Sequence, residues 1–270
     1  MSILGSVPGA RLVTSLSNDT VKAVRALHMR KEREQTGLFL AEGLKIVLEA
    51  VELGHLPSIL MFSREADHPK LAEAARATLE GGGEVIEVTR DILEKVSRRD
   101  NPQTVVAVFP QVFQPLEAID PSTASCFVAL EQVRDPGNLG TIVRTADAAG
   151  CGGVILIGDT VDPFSVEAAR ATMGSIFAVP ISRATREAFL AWRERWPGSV
   201  VGTLLTAEHD HRSAPYRTPT LIVMGPEQAG LSPELAATCD VNVKIPMRGR
   251  ADSLNLAVAT GIMIYAAQGL

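Results

Sequence analysis

The sequence predicts an α/β protein in two parts, a smaller N-terminal α/β domain and a larger C-terminal α/β domain. Three observations carry this. Short apolar runs of strand length alternate with capped, helix-length segments along most of the chain. In the C-terminal half one layout occurs three times: an apolar strand, a turn of small and polar residues, then a helix start. Between the halves, residues 111–123 contain or adjoin Pro110, Pro115 and Pro121 and show little apolar periodicity, which suits a linker. The expected organisation is a flexible leader over 1–16, a domain over 17–110, the linker 111–123 and a second domain over 124–270.

In chain order, Ser17-Asn18-Asp19-Thr20 opens a helix by N-cap chemistry, expected to reach about Gln35 and to bury Val21, Val24, Ala26 and Leu27. Arg25, Arg30, Lys31 and Arg33 gather toward its end. Cations there either complement the helix dipole or meet phosphates. A strand and turn over 38–43 and a helix to about 53 follow. Next come a strand at 58–62, a helix at 70–79, a strand at 84–89, a helix at 91–97 and a strand at 104–109. Alternation of this kind implies a small α/β unit with its own core. Ser97-Arg98-Arg99-Asp100-Asn101-Pro102-Gln103 is either an ordinary polar loop or a nucleic-acid contact.

Beyond the linker, a strand at 126–130 meets the turn Arg134-Asp135-Pro136-Gly137-Asn138, with Asn138 as the expected N-cap of a helix ending at Gly150. Strands are expected at 154–158, 176–181, 200–206, 219–225 and 241–247. Helices are expected at 166–173 and 186–196, from Ser232-Pro233-Glu234, and from Ser253 to the C-terminus. Residues 207–217 read as a polar loop. Its His209-Asp210-His211 has no third partner in sequence, so a solvated loop is favoured over a metal site.

Hydrophobic residues make up 46% and charged residues 21%, as in ordinary globular proteins. The net charge of −5 argues mildly against a nucleic-acid binder, although a local basic patch would suffice for phosphate contacts. Three widely spaced cysteines, Cys126, Cys151 and Cys239, favour buried thiols in a reducing cytoplasm over a disulfide framework or a zinc site. No signal peptide is read, and the apolar run 254–267 is too short to span a bilayer. No GxGxxG follows a strand and no GxxxxGK[ST] occurs, so neither a Rossmann cofactor site nor a P-loop has support.

The three repeated stretches are specific in their residues. The first is ALEQVRDPGNLGTIVRTADAAG over 129–150, the second LIVMGPEQAGLS over 221–232, and the third VKIPMRGRADSLNL over 243–256. Together, in this order and spacing, they resemble the three motifs of the SpoU/TrmH family of RNA ribose 2′-O-methyltransferases, over about residues 125–270. The resemblance implies the SPOUT fold, a parallel sheet flanked by helices with a trefoil knot, which periodicity alone could not suggest. The N-terminal part more loosely resembles the family's L30e-like substrate-binding extension, through Phe39-Leu40-Ala41-Glu42-Gly43 and the 97–103 loop.

The resemblance also implies S-adenosylmethionine as methyl donor, a homodimer, and cytoplasmic action on structured RNA, ribosomal RNA in preference to transfer RNA. It matches Arg144 to the family's catalytic arginine, with Asn138, Glu227, Ser253 and Asn255 as the other catalytic-site polar residues. Gly225, Ile245, Met247 and Leu254 are expected at the donor, with Thr203 and Leu204 beside them, because close backbone approach needs small residues. Arg30, Lys31, Arg33, Arg98, Arg99, Arg248 and Arg250 are the expected RNA contacts. An arginine stays protonated in proteins, so Arg144 is expected to clamp phosphate and stabilise a developing alkoxide rather than act as a base. Glu227 is expected to orient Arg144 or Asn138. Three other readings stand beside this one: a transfer-RNA 2′-O-methyltransferase, an RNA-binding or ribosome-assembly protein with little catalysis, and a base methyltransferase of the same fold.

Overall fold

The first sheet is built from alternating apolar strands, and it already uses part of the expected leader. In the computed structural model, which describes residues 7–270, β1 (Arg11–Val13) pairs in parallel with β4 (Glu84–Val88). Residues 1–6 of the leader lie outside the described residues. Chain order continues with α1 (Asp19–Ala26), α2 (Arg30–Thr36), β2 (Leu38–Glu42), α3 (Leu44–Glu52), β3 (Ile59–Ser63) and α4 (Pro69–Glu80). After β4 come α5 (Arg90–Ser97) and β5 (Val105–Pro110). The sheet order is β1-β4-β3-β5-β2, parallel from β1 to β3 and antiparallel at β5 and β2.

The single helix expected over 17–35 is two helices. Asn18 caps α1 by accepting from Thr20 N and Val21 N, but the chain breaks at 27–29, where Met29 is extended. Hydrogen bonds from elsewhere in the unit compete with helix continuation. The His28 ring bonds Val96 O at 2.7 Å. The Arg33 guanidinium donates to Leu27 O at 2.8 Å and His28 O at 3.0 Å. Arg33 is only 4% exposed. Its expected role as an RNA contact is therefore corrected: its charge closes the helix break, where the freed carbonyls need donors.

The second sheet holds β6 (Cys126–Glu131), β7 (Val154–Ile157), β8 (Ile181–Ala184), β9 (Val200–Thr203), β10 (His209–Asp210), β11 (Thr220–Met224) and β12 (Val241–Lys244). Its helices are α6 (Pro136–Ala148), α7 (Val166–Thr172), α8 (Arg186–Arg193), α9 (Pro233–Thr238) and α10 (Leu256–Gln268). All seven strands are parallel, in the order β10-β12-β9-β11-β6-β7-β8. The central strands are buried on both faces and read as continuous apolar runs, as parallel sheets require. Phe127, Leu221, Val223, Phe189 and Leu235 sit in its core.

Several expected boundaries move. Asp135, not Asn138, caps α6 by accepting from Asn138 N, and Asn255, not Ser253, caps α10. The strand expected at 176–181 is a short 3-10 turn at Ser175–Phe177, and β8 begins only at Ile181. The linker contains two 3-10 turns, and Leu116 within it is buried in the second unit's core. Phe164–Phe177, expected in the second domain, packs with the first unit. Aromatic packing explains both changes in this run: Phe164 lies 4.8 Å from Phe39, and Phe177 lies 4.6 Å from Phe109. A ring buried in such a cluster outweighs the strand propensity of a short apolar run.

Burial holds the His28 imidazole below its ordinary value of 6.5, against the opposing hydrogen bond to Val96, and Arg98 and Arg170 lower it further. A histidine depressed in the fold contributes stability that is full above 6.5 and is lost as pH falls through the folded value. Thermal melts of wild type and His28→Gln between about pH 7 and about pH 5 should show the wild-type midpoint falling more steeply. Parallel pH profiles would contradict this.

Candidate active site

Parallel strands place their carboxyl ends on one edge of the sheet, where α/β proteins gather ligands. The order β12-β9-β11-β6 makes neighbours of four strand ends that are far apart in sequence. Thr203 ends β9, Met224 ends β11, Ile245 and Met247 follow β12, and Leu254 precedes α10. One cleft is lined by Thr203, Leu204, Gly225, Ile245, Met247 and Leu254, all six residues expected at a donor. Ser253 and Glu227 line it as well. Leu205, Met224, Pro226, Gly230, Leu256 and Ala259 complete it. These last six were legible only as apolar or small residues at strand ends, turns and the start of the final helix.

The second motif's turn is folded back on itself. A Cβ on Gly225 would lie 2.1 Å from Leu231 N and 2.2 Å from Gly230 C, both backbone atoms. Only glycine allows that approach. Glu131, a buried acid at the end of β6, fixes the far end of this turn. It accepts from Ser232 N at 2.8 Å and from Arg186 Nη2 at 2.8 Å. Sequence reasoning missed Glu131. Its one signal was a carboxylate closing an otherwise apolar strand.

Beside the cleft, three expected residues meet. Glu227 Oε1 accepts from Asn138 Nδ2 at 2.8 Å, Asn255 Nδ2 at 3.2 Å and Leu256 N at 3.0 Å. Asn255 Nδ2 also donates to Asn138 Oδ1 at 2.8 Å. Asn255 Oδ1 meanwhile caps α10 through Ala257 N and Val258 N. Each motif thus contributes one side chain to a single network. A neighbouring cleft is lined by Val133, Arg134, Asp135 and Asn138 together with Pro226, Glu227 and Leu256. Arg144 is not in the network. It is exposed on α6 and has no hydrogen bond or ion pair with any described residue. Of the two partners expected for Glu227, Arg144 or Asn138, it bonds Asn138, and Asn255 with it.

The expected RNA contacts fall into three states. Lys31, Arg98, Arg99, Arg248 and Arg250 are exposed, and their side chains make no hydrogen bond or ion pair to a described residue. Arg30 is exposed but paired with Glu34 at 2.7 Å. Arg33 is buried, as above. Arg98 stands out by its backbone, at φ 54° in the left-handed region. A non-glycine residue there costs about 1 kcal/mol or more.

Asp210 accepts from Arg212 in two bonds, at 3.0 and 2.6 Å, so its carboxylate is committed within its own loop. Burial pushes the Cys239 thiol up to about 12.

Comparison with known proteins agrees with this geometry. The SpoU rRNA Methylase family matches residues 125–265, and an MRM3-like substrate binding domain matches residues 18–107. The chain is 32% identical over 257 residues to the 23S rRNA (guanosine(2553)-2′-O)-methyltransferase RlmP of Bacillus subtilis, covering 95% of this chain and 99% of that one. A crystal structure of AdoMet-bound rRNA methyltransferase from Sinorhizobium meliloti superposes with a TM-score of 0.91 at 48% identity, covering 97% and 98% of the two chains. The SpoU methyltransferase AviRb of Streptomyces viridochromogenes, in complex with AdoMet, gives 0.80 at 30% identity, covering 93% and 97%. The chain belongs to the SpoU rRNA methylase family.

The family's methyl donor, S-adenosylmethionine, fits the cleft. The lining is mostly apolar with few polar groups, as suits an adenine ring and the methylenes flanking a sulfonium. Thr203 Oγ1 is buried and has no partner among the described residues, which leaves it for a ligand.

Gly225→Ala should lower donor affinity at least about tenfold, about 1.4 kcal/mol, because the turn must shift away from the new Cβ. Calorimetric titration with S-adenosylmethionine checks this, and wild-type affinity would contradict it.

Proposed function

We propose that this protein transfers a methyl group from S-adenosylmethionine to the ribose 2′-OH of one nucleotide in structured 23S-type ribosomal RNA, in the cytoplasm. The observation that carries the proposal is the network joining Asn138, Glu227 and Asn255 at the rim of the donor cleft. Relatives named as 23S rRNA 2′-O-methyltransferases support ribosomal over transfer RNA. Among the described residues, no helix is long and apolar enough to cross a membrane.

Bound S-adenosylmethionine supplies an electrophilic methyl carbon on a sulfonium. The chain supplies position and charge. Thr203, Leu204, Gly225, Ile245, Met247 and Leu254 hold the donor, and Ser253 borders both donor and sugar. Glu227 and Asn255 hold Asn138 so that its amide, with one N–H still free, fixes the ribose. Arg144, whose side chain is uncommitted among the described residues, gathers the target phosphate and stabilises the developing alkoxide, while the hydroxyl proton leaves to phosphate or water. Lys31, Arg30, Arg98, Arg99, Arg248 and Arg250 contact the RNA backbone, whose local attraction overrides the net charge of −5.

We also propose a homodimer. Of the apolar residues expected on the final helix, Leu256 and Ile264 are buried within the chain. Val258 (53% exposed), half-buried Ile262 and Tyr265 (41% exposed) recur at i, i+4 and i+7 and form one open stripe. A second copy of this stripe is the simplest cover for it.

Arg144→Ala should abolish transfer while donor affinity stays near wild type, and normal turnover would overturn the assignment. A 2′-O-methyl map of ribosomal RNA from cells with and without the gene should lose protection at one nucleotide. A Tyr265→Asp variant should elute as a monomer where wild type scatters light as a dimer. A monomeric wild type at micromolar concentration would refute the dimer.

A further inference from the structure

We propose that Arg170 is a positioning residue for RNA, holding the C-terminus of α5 so that the turn after it presents Arg98 and Arg99 to the phosphate backbone. This rests on the reading of that turn as an RNA contact. The first observation is Arg98 itself. It sits at the first position beyond α5 with φ 54°, where helices ordinarily place glycine. Its side chain is exposed and has no hydrogen bond or ion pair with a described residue. Strain retained for an uncommitted charge points to a use outside the chain.

The second observation is the anchorage just before it. The last carbonyls of α5 are taken by side chains from elsewhere in the unit. His28 Nε2 donates to Val96 O at 2.7 Å, and Arg170 Nη2 donates to Ser97 O at 2.8 Å. The third is the rigidity of Arg170. Its Nε and Nη2 bond Glu42 Oε2 at 3.1 Å and Oε1 at 2.5 Å. The Glu42 side chain, at the end of β2, is only 3% exposed. A bidentate pair fixes the guanidinium plane. The donor on Ser97 O is therefore held against the sheet, one residue before the left-handed turn. Arg170 lies in the run between β7 and β8 of the second sheet, yet this run packs with the first unit.

The test uses the full-length protein and an unmethylated transcript of the host's 23S ribosomal RNA. The double variant Glu42→Gln/Arg170→Met leaves no unpaired buried charge. It should melt near wild type, bind S-adenosylmethionine normally and keep kcat at saturating RNA. Its KM for RNA should rise about tenfold, with a shallower salt dependence, since each lost phosphate contact removes about 0.7 to 0.9 from the slope. Arg98→Ala/Arg99→Ala should raise the KM for RNA at least as much and flatten the salt dependence likewise. Arg98→Gly, which relieves the backbone, should melt at or above the wild-type temperature and still raise KM, so a readout survives if the first variant folds poorly. An unchanged KM in the Arg170 variant, with a raised KM in the Arg98/Arg99 variant, overturns the positioning role alone. An unchanged KM in both overturns the RNA reading of the turn. A lost kcat with a lowered melting temperature, and no effect of Arg98→Gly on KM, reduces Arg170 to a structural ion pair and overturns the proposal.

Discussion

One carboxylate oxygen organises the site. Glu227 Oε1 collects the amide of Asn138, the amide of Asn255 and the backbone N–H of Leu256. These donors come from the loops after β6 and β12, while the acceptor rides on the loop after β11. Hydrogen bonds to an ionised acceptor are roughly twice as strong as neutral ones. They tie together three segments that are far apart in sequence. Removing the acceptor would release three donors at once, and since Glu227 is exposed the loss falls on their orientation, because water can take the freed groups.

The network depends in turn on the sheet order. β6, β11, β9 and β12 are adjacent though 115 residues separate the start of β6 from that of β12. Because all are parallel, every loop that follows a strand here opens on the same edge. Buried Glu131 carries the arrangement one step further. It joins α8 to the N-terminus of α9 through Arg186 and Ser232, and so fixes the end of the turn that Gly225 allows to close.

The first unit shows a different use of charge. Arg33 and Arg170 are both spent on main-chain carbonyls at helix ends, and Arg170 also on Glu42. Both are cations that sequence would assign to a surface. Arg33 is buried and Arg170 half-buried, while Lys31, Arg98 and Arg99 stay exposed. A net charge of −5 is compatible with RNA contact for this reason: exposed cations are concentrated by local geometry, and composition averages over it.

The sequence by itself determined the class of fold and the strand–turn–helix layout, and the resemblance of its three motifs singled out Asn138, Glu227, Asn255 and six residues that line the cleft. These are local: an apolar run, a small turn and a capping residue are set by neighbours within a few positions, and the motif residues are contiguous with them. Tertiary structure decided the rest. It broke the first helix at 27–29, moved the caps of α6 and α10 to Asp135 and Asn255, turned 176–181 away from strand, sent Phe164–Phe177 to the other unit, buried Arg33 and kept Arg144 out of the network. Some of these are settled by a partner distant in sequence, such as Val96 for His28 or Phe109 for Phe177, whereas the caps at Asp135 and Asn255 and the bonds of Arg33 reach only a few residues and were chosen among near neighbours by the fold around them. Such contacts leave no periodicity along the chain, because their energy exists only once the two segments have met.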